Sequence, residues 1–197
     1  MAKINGTIHE ILEQLRIADY GAHYLIIYPD VTTLRELYVQ YTKIQLEISN
    51  EIVVLIPYYE TCDTVRRALT ENGGNIDVQK YEKEDEGSLI ILDSVKAYFG
   101  LGTKADLNKF IQNQVERAEK IGKNGVSVDT DVDSFHLFEI VDKLIEYELA
   151  LPSRYAIRLK RFCVYDQNNF DKLTEHQKQK LLSHHTKSFI ANSNLNT

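Results

Sequence analysis

The stretch that most constrains this chain is residues 23–59, HYLIIYPDVTTLRELYVQYTKIQLEISNEIVVLIPYY. Two near-continuous apolar runs, residues 24–28 and 52–57, flank an amphipathic segment. A strand without polar alternation is one covered on both faces. The segment between the runs is long enough for a helical crossover, so the two strands should lie parallel in one sheet. Leu34, Leu37, Tyr41, Ile44 and Ile48 recur at helical spacing, and Thr33 with Glu36 is spaced as a capping box at the helix start. Asn50 is the expected stop.

The same grammar continues on both sides. Thr7 and Glu10 form a capping-box pattern ahead of the stripe Ile8, Ile11, Leu12 and Leu15, which predicts a helix over 7–18. A helix from Thr61 to residue 71 carries Val65, Ala68 and Leu69 inward and ends at Asn72-Gly73-Gly74. Residues 75–81 alternate and read as an edge strand, 82–86 as a charged turn, 88–92 as a strand and 93–99 as a short helix. Gly100 to Gly102 is a break, after which Thr103 and Asp106 open a long helix to residue 121. Strands are expected over 126–132, 159–165 and 188–191. One helix should run from Ser134 to residue 149, closed by Pro152, and another is capped by Thr174 and Gln177. Strands alternating with helices give an α/β fold of three layers, a mainly parallel sheet with helices on both faces. Residues 1–191 read as one domain, its N-terminal helix within 1–19, and 192–197 as a polar tail that frays.

Composition narrows the function classes. A net charge of −6 gives no electrostatic footprint for nucleic acid or an anionic membrane surface. No apolar run approaches the roughly 20 residues that span a bilayer, and the opening MAKINGTIHE lacks a signal-peptide core, so a cytoplasmic protein is expected. The two cysteines, Cys62 and Cys163, are too few for a disulfide framework. The turn after the first strand, Pro29-Asp30-Val31-Thr32-Thr33, has neither the glycines nor the lysine of a phosphate-binding loop. GxGxxG, GxSxG, HExxH and CxxC are also absent, and neither a cofactor nor a metal is expected.

Isolated residues carry the remaining signal. His23 stands directly before a strand, at the end opposite the usual ligand crevice, and reads as a capping or packing residue. Cys163 inside an apolar strand reads as a small hydrophobe or as a ligand-contacting thiol. Cys62 lies in a first helical turn, where backbone amides favour a thiolate. His184-His185 falls at a helix C-terminus, where a structural role suffices. Asp129, Asp131 and Asp133 alternate as a solvated strand end would, without the glycine and distal glutamate of a calcium loop.

Three separated segments together resemble a known family: residues 23–28 with their crossover and following strand, Ile145-Glu146-Tyr147-Glu148-Leu149, and Phe162-Cys163-Val164-Tyr165-Asp166 with Leu181-Leu182-Ser183-His184-His185. This order resembles the MEDS domain, the sensory domain named for methanogen, methylotroph and dichloromethane-regulator proteins, which is similar to RecA- or KaiC-type ATPase cores without the nucleotide loop. The resemblance covers residues 20–191. It implies a RecA-like sheet without a Walker A loop and a ligand-binding set of His23, Glu148, Cys163, Tyr165, Asp166 and His185, with Thr186 standing where proline is common. It implies sensing of a small organic molecule, without catalysis, through a signalling partner such as a kinase or a transcription regulator, and leaves room for a homo-oligomer. The alternatives are a degenerate ATPase relative acting as an oligomeric adaptor and, third, an enzyme with a cysteine nucleophile and a histidine base.

Overall fold

Seven strands form a single, wholly parallel sheet in the order β1-β7-β2-β6-β5-β3-β4. They are β1 (Lys3–Gly6), β2 (His23–Tyr28), β3 (Ile52–Ile56), β4 (Leu89–Ile91), β5 (Val126–Asp131), β6 (Leu159–Asp166) and β7 (Lys187–Ala191). The computed structural model describes residues 3–71, 73–83, 87–100 and 104–192. The helices are α1 (Ile8–Arg16), α2 (Val31–Lys43), α3 (Cys62–Glu71), α4 (Val78–Tyr81), α5 (Lys104–Lys120), α6 (Ser134–Leu137), α7 (Val141–Ala150), α8 (Gln167–Asp171) and α9 (Glu175–His184). Their arrangement is the three-layer α/β fold that the sequence implies.

Crossover handedness explains the layers. From β1 through β4 each connection moves the same way along the sheet, and from β4 through β7 the connections return. Right-handed crossovers then place α1–α3 on one face and α5, α7 and α9 on the other. Each face has its own core. Tyr24, Ile26 and Tyr28 of β2 pack with α1–α3, while Leu25 and Ile27 pack with the α5, α7 and α9 side. Every residue of β2 and β3 is buried, as expected for strands covered twice. No described helix is long and apolar enough to cross a membrane.

Several local expectations are corrected. Residues 75–81 form no strand: Asp77 accepts from the Lys80 N–H at 3.0 Å and turns 78–81 into the short helix α4. β1 was invisible because only Ile4 among its four residues is apolar; it exists by pairing with β7. The crossover helix is capped by Asp30, not Thr33: the Asp30 carboxylate accepts from the Thr33 N–H at 2.8 Å. A carboxylate thus sits on the helix N-terminus where a phosphate would otherwise be attracted. The helix widens into a π-helical stretch (Ile44–Ile48) before Asn50, at φ 52, ends it. The helix expected from Ser134 to residue 149 breaks into α6 and α7 at Glu139, whose φ is 53. The expected features at Asn72, 84–86, 101–103 and 193–197 lie outside the described residues. Gly125 is fixed by close approach, since a Cβ there would lie 2.5 Å from the Tyr20 ring and 2.7 Å from Arg158 O.

At the amino edge of the sheet, the α1–α3 face buries an ion pair. Lys160 Nζ lies 2.7 Å from Glu51 Oε1, and both side chains are nearly inaccessible. Tyr20 donates to the same oxygen, Ser127 donates to the other, and Tyr41 donates to Ser127. Removing one charge from such a pair strands the other. Glu51→Gln is therefore expected to lower the unfolding free energy by about 3 kcal/mol, measured by urea denaturation.

Candidate functional site

The β2–β6 register governs what the sequence-derived residues can do. His23 lies opposite Arg161, Leu25 opposite Cys163, and Tyr28 opposite Asp166. Side chains alternate along a strand, so Arg161, Cys163 and Tyr165 share the face covered by α5, α7 and α9. His23 points to that same face, and its Nε2 lies 3.4 Å from Cys163 Sγ. Glu148 enters from the last turn of α7, and His185 from the residue that ends α9. The four donor atoms of His23, Glu148, Cys163 and His185 lie within 4.8 Å of one another, and all four residues are buried. Among the described residues this is the group that could hold one metal ion.

Each imidazole is locked by its other nitrogen. His23 Nδ1 donates to Pro152 O at 2.9 Å, and His185 Nδ1 donates to Leu181 O at 2.7 Å. A carbonyl can only accept, so both Nε2 atoms turn inward. His184 is not part of the group: its Nε2 donates to Leu151 O at 2.8 Å. The Thr186 N–H donates to His23 O at 2.7 Å and its hydroxyl to Ser153 O at 2.9 Å, two bonds a proline could not make.

Electrostatics follow from burial. Burial lowers His23 to about 3, helped by the neighbouring His185, so its ring is neutral. Burial pulls the Glu148 carboxyl up, but His185, His23 and Arg161 outweigh it and take the group down to about 2. Burial and then the Glu148 charge raise the Cys163 thiol well above its ordinary value. The distance a cysteine–histidine nucleophile requires is met; access and an ionised thiol are not. Cys62 is also pushed up, chiefly by burial, despite its place in a first helical turn. Arg161, missed in the sequence reading, is fully buried, bonding the Tyr147 hydroxyl at 2.5 Å and Asn108 Oδ1 at 3.2 Å. Two adjacent cations, Lys160 and Arg161, at the head of a strand that is otherwise mostly apolar were the available signal.

Tyr165 lies on the same face, buried and packed edge-to-face on Phe170. Asp166 is elsewhere. Three residues beyond Cys163, about 10 Å along the strand, it leaves the sheet at the carboxyl edge. There its carboxylate caps α8, accepting from the Asn168 and Asn169 N–H groups, and its own N–H donates to Asp133 Oδ2 at 2.7 Å.

That edge holds a cleft of about 570 Å³, lined among others by Tyr58, Tyr59, Asp133, His136, Asn169 and Lys172. Asn169 donates to the Tyr59 hydroxyl at 2.8 Å and accepts from Lys172 at 2.9 Å. Asp133 Oδ1 and His136 Nε2 stand 3.9 Å apart, and neither has a hydrogen bond from a described residue. Asp129, Asp131 and Asp133 are buried, which corrects the expectation of a solvated strand end. Strand alternation turns Asp129 and Asp131 under α2 and α3, beside a cavity of about 20 Å³, room for a single water. Burial pushes Asp129 up to about 7. Burial likewise takes Asp133 to about 7, against the hydrogen bond from the Asp166 N–H.

No protein-family model matches this chain, and no curated protein matches it either.

The raised carboxyls make a pH prediction. A carboxyl that holds its proton more tightly when folded opposes folding above its folded pKa, and that opposition fades as the pH falls toward the unfolded value. Asp129→Asn is expected to stabilise the protein by about 2–4 kcal/mol at pH 8. The gain should shrink through pH 7 and vanish near pH 4, read from denaturation curves of the two proteins at each pH.

Proposed function

We propose that this chain is a non-catalytic sensing domain of the MEDS type, which takes a small organic molecule into the carboxyl-edge cleft and reports its occupancy to a partner protein. The observation that carries this reading is the cleft itself: ligands of open parallel sheets bind beyond the carboxyl ends of the strands. Its volume falls in the usual range for small-molecule sites. Tyr58 and Tyr59 supply an aromatic wall, and Asp133 Oδ1 and His136 Nε2, unpaired and buried behind the surface, come within reach of a ligand once a lining side chain turns aside. A compound with a donor for Asp133 and an apolar body suits those walls. Because Asp133 also accepts from the Asp166 N–H at the start of α8, a ligand there would bias the α6–α8 region between arrangements that a partner can read.

Support against catalysis by cysteine comes from the two thiols, one sealed in the core and neither activated. Support against nucleotide chemistry comes from Asp30, whose carboxylate occupies the N-terminus of α2. The adaptor reading has one observation of its own. Phe99, Leu137 and Phe138 are exposed beside the cleft, with the Phe99 and Phe138 rings 4.9 Å apart, a surface suited to a second copy.

A thermal-shift screen of small metabolites decides between these readings. A ligand present at a hundred times its Kd adds about 2.7 kcal/mol of stability. The sensing reading expects at least one compound to raise the melting temperature of the wild type and to lose at least tenfold in affinity with His136→Ala. A broad library without a single stabilising compound, together with dimers in light scattering that Phe138→Asp abolishes, overturns sensing in favour of the adaptor.

A further inference from the structure

The buried group under the sheet needs an explanation separate from the cleft. Glu148 has no hydrogen bond to either carboxylate oxygen from any described residue, although the residue is wholly inaccessible. A buried carboxylate without a partner is strongly disfavoured. Its nearest polar neighbour is His185 Nε2, 3.2 Å from Oε2 but outside hydrogen-bonding angles. Since His185 Nδ1 already donates to Leu181 O, a neutral imidazole presents a lone pair at Nε2 beside those of the Glu148 carboxylate. Something positive belongs between them: a proton on the ring or a metal cation.

We propose that His23, Glu148, Cys163 and His185 form a closed, tetrahedral site for one zinc-class divalent cation. The donor set of two imidazoles, a thiol and a carboxylate is one that zinc accepts. A tetrahedral zinc, with bonds of about 2.0–2.1 Å to nitrogen or oxygen and about 2.3 Å to sulfur, separates its ligand atoms by about 3.3–3.6 Å. His23 Nε2 and Cys163 Sγ are 3.4 Å apart, His185 Nε2 and Glu148 Oε2 are 3.2 Å apart, and all four atoms lie within 4.8 Å of one another, so the wider pairs would close up around the ion. The outer contacts are those that metal-bound histidines make: each Nδ1–H is held by a backbone carbonyl, which fixes the ring and aims Nε2 inward.

Charge is consistent with the same occupant. On binding, the Cys163 thiol loses its proton to solvent and the Cys163–metal bond forms. Thiolate and Glu148 carboxylate then neutralise a divalent ion. A proton alone would pair Glu148 with His185 and leave the Cys163 S–H donating to His23 Nε2 at 3.4 Å; one cation would replace both separate contacts. Four protein ligands leave no open position for water or substrate, so the ion would tie structure together rather than catalyse. It would join β2, α7, β6 and the end of α9, four segments distant in the sequence. The inference does not depend on the cleft: a failed ligand screen leaves it standing, and loss of the metal leaves the screen interpretable.

The test titrates zinc and cobalt(II) into full-length protein freed of metal by chelator dialysis. The expected result is one equivalent bound per chain, a higher melting temperature with zinc, and for cobalt a thiolate-to-metal charge-transfer band with intense tetrahedral visible bands. Cys163→Ser should lose the charge-transfer band, and Glu148→Gln should weaken zinc by at least about tenfold. Cys62→Ser should keep every feature, and this half-exposed control decides the matter even where a core variant fails to fold. A wild type that binds no stoichiometric zinc overturns the site in favour of a proton-held ion pair. A charge-transfer band lost in Cys62→Ser, or unchanged zinc affinity in a folded Cys163→Ser, overturns it by placing the ion elsewhere.

Discussion

The pairing of β2 with β6 is the constraint on which the rest of this molecule depends. Both strands are central and covered by helices on each face, so their register cannot slip by one residue without reversing every side chain. That register sets His23 diagonally beside Cys163 at one end and Tyr28 beside Asp166 at the other. Two chemically distinct places follow, one inside the sheet–helix interface and one at its open carboxyl edge. A single strand, β6, supplies Cys163 to the buried group and holds Asp133 of the cleft through the Asp166 N–H, and α7 runs from Val141 at the cleft to Glu148 in the buried group.

Burial gives both places their character. In water, the carboxyls, thiol and imidazoles found here would be ordinary. Under two layers of helices the thiol is held protonated, His23 is neutral, and Asp129 and Asp133 are raised to about 7. Each polar group excluded from water needs a local partner. Most find one, as Lys160 and Glu51 do in the network with Tyr20, Ser127 and Tyr41. Among those that do not, Glu148 and His185 lie in one place and Asp133 and His136 in the other, the two places proposed to take an external partner.

The sequence was legible where local chemistry and burial agreed. The capping boxes at Thr7 and Thr174 are formed as their spacing implied. The apolar runs became doubly covered strands, and Asn50 stopped its helix. Legibility failed where a tertiary partner outweighed a local pattern. Residues 75–81 alternate like a strand, but Ile76 and Val78 are buried against α3 and Asp77 caps a turn of helix instead. The acidic alternation of β5 looked solvated because charge usually is; only the fold shows that α2 and α3 lie over it. Of the six residues taken as a binding set, four meet, Tyr165 shares their face, and Asp166 caps a helix at the far end of the strand.

By itself, then, the amino-acid order determined the number of layers, the parallel sense of the sheet and most helix boundaries, because these rest on periodicity and short-range hydrogen bonds. It also determined that Pro29 to Thr33 carries neither the glycine amides nor the lysine of a phosphate-binding loop. Only the tertiary structure decided that His23 and His185, separated by most of the chain, would face Cys163 and Glu148. That meeting depends on strand order and register, and neither is written in any local stretch, because they are set by which surfaces bury together once the helices have chosen their faces.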